Sequence, residues 1–432
     1  MSSSIASSDF ISAASPVDRW LRGRLLRQLS GLQRGRLQLC DASGSVVLGS
    51  ARDSDPAVRL EVLDPSFYRA LAASGSVGAG SAYMDGLWRC SAAGMSSSDA
   101  LVALIRVLVR DRDLLDGLET GLARLGGAVL RAWEISRRNH RAGSRRNIAA
   151  HYDLGNDFFA LFLSPDLMYS SALWSGADDT LEAASTRKLD AICRQLQLTA
   201  GDHVVEIGTG WGGFALHAAR HYGCRVATTT ISREQHALAR KRVVAAGLAD
   251  RIDVRLDDYR DLTGQYDKLV SIEMIEAIGA PYLETYFGTL DRLLKPDGLA
   301  LIQAITIEDH RYRQALRSVD FIKRHIFPGS FIPSLAAVLA AKTRASRLGL
   351  VALRDFGDSY ARTLEAWRRR FLARLPEVRA QGFDEHFIRM WEFYLAYCEG
   401  GFRERSIGVA HLLLAKPGWR RTHAAHRGDL GE

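Results

Sequence analysis

A short apolar segment that runs directly into glycines, Val204-Val-Glu-Ile-Gly-Thr-Gly-Trp-Gly-Gly213, constrains the fold of this chain most strongly. Its apolar part has the length and β-branched content of a buried strand, and the residues that follow have helical character. Glycines at 208, 210 and 212 allow a tight turn and a close approach of backbone to a ligand. The helix that follows would offer unpaired N–H donors. The segment therefore predicts a strand, a loop and a helix that bind a nucleotide-like ligand.

The spacing of these glycines indicates the kind of ligand. A G-x-G pair alone is a weak signal, because dinucleotide dehydrogenases use G-x-G-x-x-G in the same context. Here the spacing is G-x-G-x-G and Glu206 precedes it on the strand, which favours S-adenosylmethionine over a nicotinamide cofactor. A purely structural turn is the alternative. The next strand ends at Thr228–Ser232 without the acidic residue that often binds a ribose, so Gln235 or Thr230 is expected to substitute for it.

Strand-like and helix-like segments alternate in the region around the glycines. Strands that alternate with helices imply crossover connections and a parallel sheet covered on both faces. We therefore predict a doubly wound α/β domain. From 309 to about 375 the strand signal fades, and a largely helical insertion is expected there as a lid over an apolar substrate. The predicted strands are 203–208, 225–231, 252–258, 268–273 and 299–305.

The first part of the chain has a different pattern and predicts a smaller mixed α/β domain. Alternating segments at 37–39 and 45–48 flank a turn at 41–44, which indicates a hairpin. From Ser97 onward, apolar residues recur at helical spacing, with the residues at 97–99 as candidate caps. One or two long amphipathic helices are expected from this stretch.

A basic stretch marks the predicted domain boundary. Residues 137–147 contain five arginines and a glycine, which is typical of a linker or a solvated arm. We therefore predict an N-terminal accessory domain at 1–136, a basic linker at 137–147 and a catalytic domain at 148–432. An exposed connector is the simple interpretation of the linker. Docking to lipid headgroups is the alternative, because each cation near an anionic membrane gains about 1 kcal/mol.

Composition indicates the class of protein, its type of partner and its cellular compartment. A chain of 432 residues with 47% hydrophobic and 25% charged residues is typical of a globular protein with two domains. The 57 basic and 49 acidic residues give a net charge of +8, which suggests an anionic partner such as a membrane surface or nucleic acid. Five cysteines without C-x-x-C spacing indicate neither a disulfide framework nor a zinc site, which fits a reducing cytosol. Apolar stretches such as Leu335–Ala341 are far shorter than the roughly 20 residues that span a bilayer, so any membrane contact is expected to be peripheral.

Several longer motifs occur in a fixed order along the chain. In order and spacing they resemble the cyclopropane-fatty-acyl-phospholipid synthases and the mycolic acid methyltransferases, over roughly residues 146–415. The segment Ala82–Trp88 is similar to the additional domain of the full-length bacterial enzymes, and this resemblance implies membrane association and a homodimer. The motifs are His151–Asp157, Tyr169–Trp174, the glycine loop at 204–213, Ser271–Gly279, Tyr360–Trp367 and Tyr394–Arg403.

The resemblance implies a Rossmann-like class I methyltransferase fold and a role for particular residues. In such enzymes a bound bicarbonate serves as the general base, and it would be held by backbone near Ser171 and Ile305 and by the side chains of Glu276, Gln303 and Tyr360. Cys398 matches a cysteine discussed as catalytic in the family, with simple packing as the alternative. The cofactor would be surrounded by Tyr169, Ser170, Glu206, Gly208, Gly210, Trp211, Gly212, Thr230, Ile231, Gln235, Asp258 and Tyr259.

The implied chemistry explains why these residue types are needed. An alkene is a poor nucleophile, so methyl transfer from a sulfonium requires alignment in a dry pocket and leaves a carbocation on the acyl chain. A base then removes one proton from the added methyl and the ring closes, while nearby negative charge stabilises the cation. Ser171 and Gln303 stand where the commonest bacterial pattern has cysteine and histidine, and this departure leaves the product open.

The sequence thus predicts an enzyme that transfers a methyl(ene) group from S-adenosylmethionine to the double bond of an unsaturated acyl chain. The expected substrate is a phospholipid at the inner face of the cytoplasmic membrane, and the expected product is a cyclopropane. A methyl- or methylene-branched product, or methylation of another lipid, is the first alternative, and a non-catalytic lipid-binding protein is the second. Nucleic acid is not expected as a partner, because the chain has no N-P-P-Y-like segment.

Overall fold

The computed structural model describes residues 14–50, 55–113, 137, 139, 143 and 154–420. The chain divides into two compact units: the first contains residues 1–133, 318–326 and 378–404, and the second contains residues 134–317, 327–377 and 405–432. Two stretches that the sequence placed in the catalytic domain, 318–326 and 378–404, therefore group with the N-terminal unit. Most of the predicted linker at 137–147 lies outside the described residues.

Helices occur in both units. Besides the α-helices there are 3₁₀ turns at Tyr259–Asp261 and Ala280–Tyr282 and a π-helical turn at Ile322–Ile326. None of the described helices is long and apolar enough to cross a bilayer. In chain order the described α-helices are α1 (Pro16–Leu29), α2 (Ser66–Met84), α3 (Ser97–Arg110), α4 (Asn156–Ala160), α5 (Leu181–Gln195), α6 (Gly213–Tyr222), α7 (Arg233–Ala245), α8 (Ile275–Ile278), α9 (Leu283–Leu293), α10 (Asp309–Ala315), α11 (Leu335–Ala345), α12 (Gly357–Ala373), α13 (Leu375–Ala380) and α14 (Glu385–Arg403).

The first unit contains a four-stranded mixed sheet. Its strands are β1 (Arg36–Asp41), β2 (Gly44–Leu48), β3 (Ala57–Val62) and β4 (Trp88–Ser91), in the order β2-β1-β3-β4. Antiparallel pairing of β1 with β2 confirms the predicted hairpin. Helix α3 begins where predicted, but its cap is the preceding residue, Ser96, whose side chain accepts a hydrogen bond from the Asp99 N–H. The rest of the predicted helical stretch, from residue 114, lies outside the described residues.

Helix α14 belongs to the first unit because its apolar face packs on that unit's helices. Gly400 lies so close to Ile105 of α3 that a Cβ placed on Gly400 would stand 2.6 Å from Ile105 Cγ2. The ring of Phe393 lies 4.6 Å from that of Phe321 and 5.6 Å from that of Tyr83, measured between centroids. These aromatic contacts also explain why the short stretch around Phe321 groups with the N-terminal unit.

The second unit contains a seven-stranded sheet with helices packed on both faces, which confirms the doubly wound, Rossmann-like fold. Strand β5 pairs in parallel with β6 and β8, β6 with β7, and β8 with β9, whereas β11 runs antiparallel to β9 and β10. The order is β10-β11-β9-β8-β5-β6-β7. The strands are β5 (His203–Ile207), β6 (Arg225–Thr229), β7 (Ile252–Arg255), β8 (Tyr266–Ile272), β9 (Leu294–Ile307), β10 (Gly349–Asp355) and β11 (Ile407–Ala415).

Side chains along the central strands alternate between two apolar clusters, one on each face of the sheet. Val205 and Leu269 belong to one cluster, whereas their neighbours Val204 and Val270 belong to the other. This alternation is the expected result of a strand that is buried on both faces.

The strand order places a site at the carboxyl ends of β5 and β8. From β5 the chain proceeds outward through β6 and β7 and then returns to β8 on the other side, so the order reverses between β5 and β8. Open α/β sheets bind ligands at such a switch point, outside the carboxyl ends of the strands. The glycine loop follows β5 at this edge, and Glu273 and Glu276 follow β8.

The predicted helical insertion needs one correction. Residues 309–375 contain α10, α11 and α12, but they also contain strand β10. β10 is an edge strand with a register shift between Leu350 and Ala352, and Leu350 and Leu353 are exposed. An exposed edge strand lacks the buried apolar pattern by which the inner strands were predicted.

Candidate active site

The glycine loop has the backbone geometry that the sequence predicted. The φ angles of Gly208, Gly210 and Gly212 are +101°, +52° and +85°, in the left-handed region that favours glycine. The Gly208 and Thr209 N–H groups donate to the Thr229 carbonyl at the end of β6, at 3.1 and 3.0 Å. Gly212 then caps α6, so the predicted strand, loop and helix are all present.

Glu206, predicted as a cofactor contact, is buried inside the sheet. The Thr228 hydroxyl donates a hydrogen bond of 2.6 Å to Glu206 Oε2 and lies 2.7 Å from the Thr209 hydroxyl. Burial raises the pKa of Glu206 to about 8, opposed by the hydrogen bond from Thr228 and the charge of Lys188. Glu206 thus links β5 to β6 directly beneath the glycine loop.

The residues predicted for the ribose side of the cofactor lie together after β6. The Thr230 hydroxyl donates to Gln235 Oε1 at 2.8 Å, and Ser232 caps α7 by accepting a hydrogen bond from the Gln235 N–H. Ile231 lies between them and is partly buried. Since β6 neighbours β5, this polar pair lies at the same sheet edge as the glycines.

Asp258 and Tyr259 follow β7 at that edge. The Arg260 guanidinium donates to both carboxylate oxygens of Asp258, at 2.8 and 2.6 Å, so this carboxylate is already paired. The Tyr259 hydroxyl is buried and has no hydrogen-bond partner among the described residues. A buried hydroxyl in that state fits a site that a polar ligand completes.

Tyr169, Ser170 and Trp211 were also predicted to surround the cofactor. The rings of Tyr169 and Trp211 lie 5.2 and 5.0 Å from the ring of Phe159, and the Trp211 indole donates to Asn156 Oδ1 at 2.6 Å. The Ser170 hydroxyl accepts a hydrogen bond of 2.8 Å from the ammonium of Lys188, a fully buried residue on α5.

Lys188 was not predicted as a site residue. Burial lowers the pKa of its ammonium to about 8, whereas Glu273, Asp166 and Glu206 favour its charged form. It is therefore a buried cation between the cofactor residues and the carboxylates that follow β8. A lysine within an otherwise ordinary amphipathic helix carries no signal of this in the sequence.

The second unpredicted residue, Glu273, occupies the centre of the predicted catalytic set. Its Oε1 accepts hydrogen bonds from the Ser171 N–H at 2.9 Å and from Gln303 Nε2 at 2.7 Å. Its Oε2 accepts one from the Tyr360 hydroxyl at 2.7 Å. Burial raises the pKa of Glu273, while these three donors and Lys188 favour the ionised form. The motif at 271–279 contains two glutamates, of which only Glu276 was predicted as a site residue.

Glu276 lies beside Glu273 but has different partners. Its Oε1 accepts a hydrogen bond of 2.5 Å from the Ile305 N–H. Its other oxygen, Oε2, is buried and lacks a hydrogen-bond partner in the part of the chain that the structure describes. Burial and then the charge of Glu273 raise the pKa of Glu276 to about 8. Two adjacent carboxyl groups in such different surroundings are typical of acid–base sites.

Gln303 is oriented by a third unpredicted residue, His411 of β11. Gln303 Nε2 donates to Glu273 and to the Ser171 carbonyl, so its Oε1 must be the acceptor toward His411 Nε2, 3.0 Å away. His411 Nε2 therefore carries the proton and Nδ1 accepts from Gln195 Nε2 at 3.1 Å. Burial lowers the pKa of His411 to about 3, which keeps the ring neutral.

The residues predicted to hold bicarbonate come together as expected, but their donors are engaged. The Ser171 N–H, Gln303 Nε2 and the Tyr360 hydroxyl all donate to Glu273, and the Ile305 N–H donates to Glu276. An added anion would meet two buried carboxyl groups and no uncommitted member of this donor set. The site as folded does not fit a bicarbonate ion.

Cys398 was also predicted as a catalytic residue. It lies on α14 in the first unit, whereas the residues described above lie in the second. Burial, with a smaller contribution from Asp320, raises the pKa of its thiol, so the sulfur is a neutral thiol rather than a thiolate.

Comparisons with known proteins identify the family of this chain. A family model described as mycolic acid cyclopropane synthetase matches residues 139–412. The tuberculostearic acid methyltransferase UfaA1 of Mycobacterium tuberculosis is 37% identical over 406 residues, which is 92% of this chain and 91% of that protein. The cyclopropane-fatty-acyl-phospholipid synthase of Escherichia coli strain K12 is 36% identical over 386 residues, 88% of this chain and 92% of that protein.

The fold is also similar to a solved structure of the same kind. The mycolic acid cyclopropane synthase CmaA1, in a complex with SAH and CTAB, aligns with a TM-score of 0.59 and 28% identity, covering 63% of this chain and 98% of that one. The predicted resemblance is thereby confirmed. The chain belongs to the mycolic acid cyclopropane synthetase family and is an S-adenosylmethionine-dependent methyltransferase.

Proposed function

We propose that this protein transfers a methyl group from S-adenosylmethionine to the double bond of an unsaturated acyl chain in a phospholipid, and that the product is a cyclopropane. The observation that carries the proposal is the buried carboxylate of Glu273, at the carboxyl end of β8 and beside the glycine loop that follows β5. A buried, oriented negative charge stabilises a carbocation without reorganising at the moment of reaction.

The cofactor site proposed for this chain is the edge formed by the loops after β5, β6 and β7. S-adenosylmethionine, when bound there, supplies the sulfonium methyl. Gly208 and Gly210 leave room for its close approach. The Tyr259 hydroxyl, which has no hydrogen-bond partner in the described part of the chain, offers it a hydrogen bond. Thr230 and Gln235 are the polar pair for its ribose, in place of an acidic residue. The SAH complex of CmaA1 supports this choice of cofactor.

The chain's own residues exclude water and orient the charge. The Tyr360 ring lies 6.1 Å from that of Trp367, and the Tyr169 ring lies 5.3 Å from that of Trp367, measured between centroids. Aromatic faces beside a buried carboxylate suit a developing cation, which they stabilise through their quadrupoles. The fully buried Lys188 balances the negative charge of Glu273 when no cation is present.

A methylene- or methyl-branched product is the second candidate. It is supported by the similarity to the tuberculostearic acid methyltransferase, which matches this chain as well as the cyclopropane synthase of Escherichia coli does. Both products begin with the same methyl transfer, and they differ in which proton leaves and where its electron pair goes.

The experiment is to incubate purified protein with S-adenosylmethionine and vesicles of an unsaturated phosphatidylglycerol or phosphatidylethanolamine, and then to analyse the fatty acids by mass spectrometry. A gain of one CH₂ with no deuterium uptake on mild catalytic deuteration indicates a cyclopropane. The same gain with uptake of one D₂ indicates a methylene branch. Recovery of only the unmodified acyl chain would refute both candidates.

The proposed setting is the inner surface of the cytoplasmic membrane, with the protein bound peripherally as a homodimer. Helix α1 supports the membrane contact: Val17 and Trp20 are 54% and 53% exposed, and the Arg24 guanidinium lies 5.2 Å from the Trp20 ring centroid. Exposed tryptophan beside arginine is typical of helices at a lipid interface. Flotation with anionic vesicles should weaken in a Trp20→Glu variant, and light scattering after size exclusion tests the dimer.

A further inference from the structure

The carboxylate of Glu273 stands where a bound anion was expected. Three groups that were predicted to surround a bicarbonate donate hydrogen bonds of 2.7 to 2.9 Å to its two oxygens: the Ser171 N–H, Gln303 Nε2 and the Tyr360 hydroxyl. A side-chain carboxylate presents the same planar O–C–O group and the same single negative charge as bicarbonate. The donors therefore have an equivalent partner that is covalently part of the chain.

The backbone at Glu273 is unusual for a residue with a side chain. Its φ angle is +49°, in the left-handed region, which costs a residue with a Cβ about 1–2 kcal/mol. Glycine would avoid this cost. A glutamate held at such a position by three buried hydrogen bonds indicates that its side chain serves a purpose that compensates for the strain.

The surroundings of the two glutamates differ. Burial raises the pKa of Glu273, but three donated hydrogen bonds and the charge of Lys188 oppose this rise by stabilising the carboxylate form. Glu276 is buried beside that carboxylate, and its pKa of about 8 leaves it largely protonated at neutral pH. Among the described residues, Glu273 Oε2 accepts one hydrogen bond, from Tyr360, so a lone pair remains for a proton.

We propose that Glu273 is the general base of the reaction and replaces dissolved bicarbonate. This inference rests on the function proposed above. The π electrons of the acyl double bond form a C–C bond to the sulfonium methyl, the S–CH₃ pair stays on sulfur, and the neighbouring chain carbon becomes a cation. Glu273 Oε2 takes a proton from the added methyl, and that C–H electron pair closes the ring. The proton leaves Glu273 for solvent when the products depart.

Two substitutions and a bicarbonate-free assay test the proposal. In buffer freed of CO₂, the wild-type rate of S-adenosylhomocysteine release from unsaturated phospholipid vesicles should not change when millimolar bicarbonate is added. Glu273→Gln keeps the shape but cannot take a proton, so its rate should fall about 10²–10⁴-fold and bicarbonate should not restore it. Glu273→Gly relieves the backbone strain and frees three donors, so its rate should fall equally but rise again with added bicarbonate.

Controls separate catalysis from folding. Glu284→Gln removes an exposed carboxylate that pairs with Arg344 and should behave as the wild type. Thermal melting and calorimetry with S-adenosylmethionine should show that both Glu273 variants fold and bind the cofactor. Wild-type turnover that disappears without bicarbonate and returns with it would overturn the proposal. Turnover of Glu273→Gln above about a tenth of the wild-type rate would do the same.

A binding measurement distinguishes this inference from the proposed function. Line broadening of ¹³C-bicarbonate in NMR spectra should appear with Glu273→Gly and not with the wild type. If no unsaturated lipid is turned over, the proposed function fails, yet this broadening still decides whether Glu273 fills the anion position. Equal broadening by the wild type and Glu273→Gly would show that it does not.

Discussion

The orientation of Gln303 depends on His411, and this dependence predicts the effect of replacing that histidine by leucine. In the folded protein the His411 Nε2–H donates to Gln303 Oε1, so that Gln303 Nε2 points at Glu273. His411→Leu removes the donor while keeping most of the side-chain volume. The Gln303 amide then has either an unpaired oxygen or, if it rotates, an oxygen directed at the Glu273 carboxylate.

The expected magnitude follows from the burial of both side chains, which are 1% and 0% exposed. A buried acceptor without a partner costs about 1–3 kcal/mol. If this cost raises the free energy of the transition state, which requires the oriented Glu273 carboxylate, turnover decreases about 5- to 150-fold. His411→Gln keeps an N–H donor near the Nε2 position, so it should retain more activity than His411→Leu.

The assay is S-adenosylhomocysteine release with unsaturated phospholipid vesicles, together with thermal and urea unfolding. The pH dependence of stability gives a second readout. His411 has a pKa of about 3 when folded and about 6.5 when unfolded. The unfolded chain therefore binds the extra proton first, and wild-type stability falls as the pH drops from about 6.5 toward 3. His411→Leu should lose this part of the slope. Turnover of His411→Leu within twofold of the wild type, with the cofactor bound normally, would refute the reasoning.

Three further predictions concern neighbouring groups. Burial raises the pKa of Glu276 from 4.5 to about 8, so between these pH values the folded state holds a proton that the unfolded state has lost. Wild-type stability in urea titrations should therefore decrease as the pH rises from about 4.5 to about 8, and Glu276→Gln should show a flatter profile. Gly212→Ala places a Cβ at a φ of +85°, which should lower the free energy of unfolding by about 1–2 kcal/mol and weaken cofactor binding in calorimetry. The control is Gly176→Ala, which should match the wild type because a Cβ there meets nothing within 4 Å. Lys188→Met removes a cation that favours the ionised form of Glu273, so the acid limb of the profile of kcat/KM against pH should move to higher pH. If the acid limb stays at the same pH, the assignment of Glu273 as the base is wrong.

The features of this protein that depend on local pattern could be predicted from the amino-acid sequence. The glycines at 208, 210 and 212 have the left-handed backbone that their spacing predicted, because only glycine takes these angles without strain. The inner strands β5, β6, β8 and β9 were predicted because strands that are buried on both faces are rich in apolar residues. The edge strand β10 was not, because two of its leucines face solvent.

The contacts between distant residues, in contrast, depend on the three-dimensional fold. Glu273 and Glu276 share one motif. Nothing in that motif distinguishes a carboxylate that receives three hydrogen bonds from one whose Oε2 has no hydrogen-bond partner among the described residues. The partners of Glu273 lie 102, 30 and 87 residues away in the chain, at Ser171, Gln303 and Tyr360. Their convergence follows from the order of strands in the sheet and from the packing of α12 on β11. Sequence spacing describes neighbours along one strand or helix, whereas the protonation state of a buried carboxyl group depends on every element packed around it.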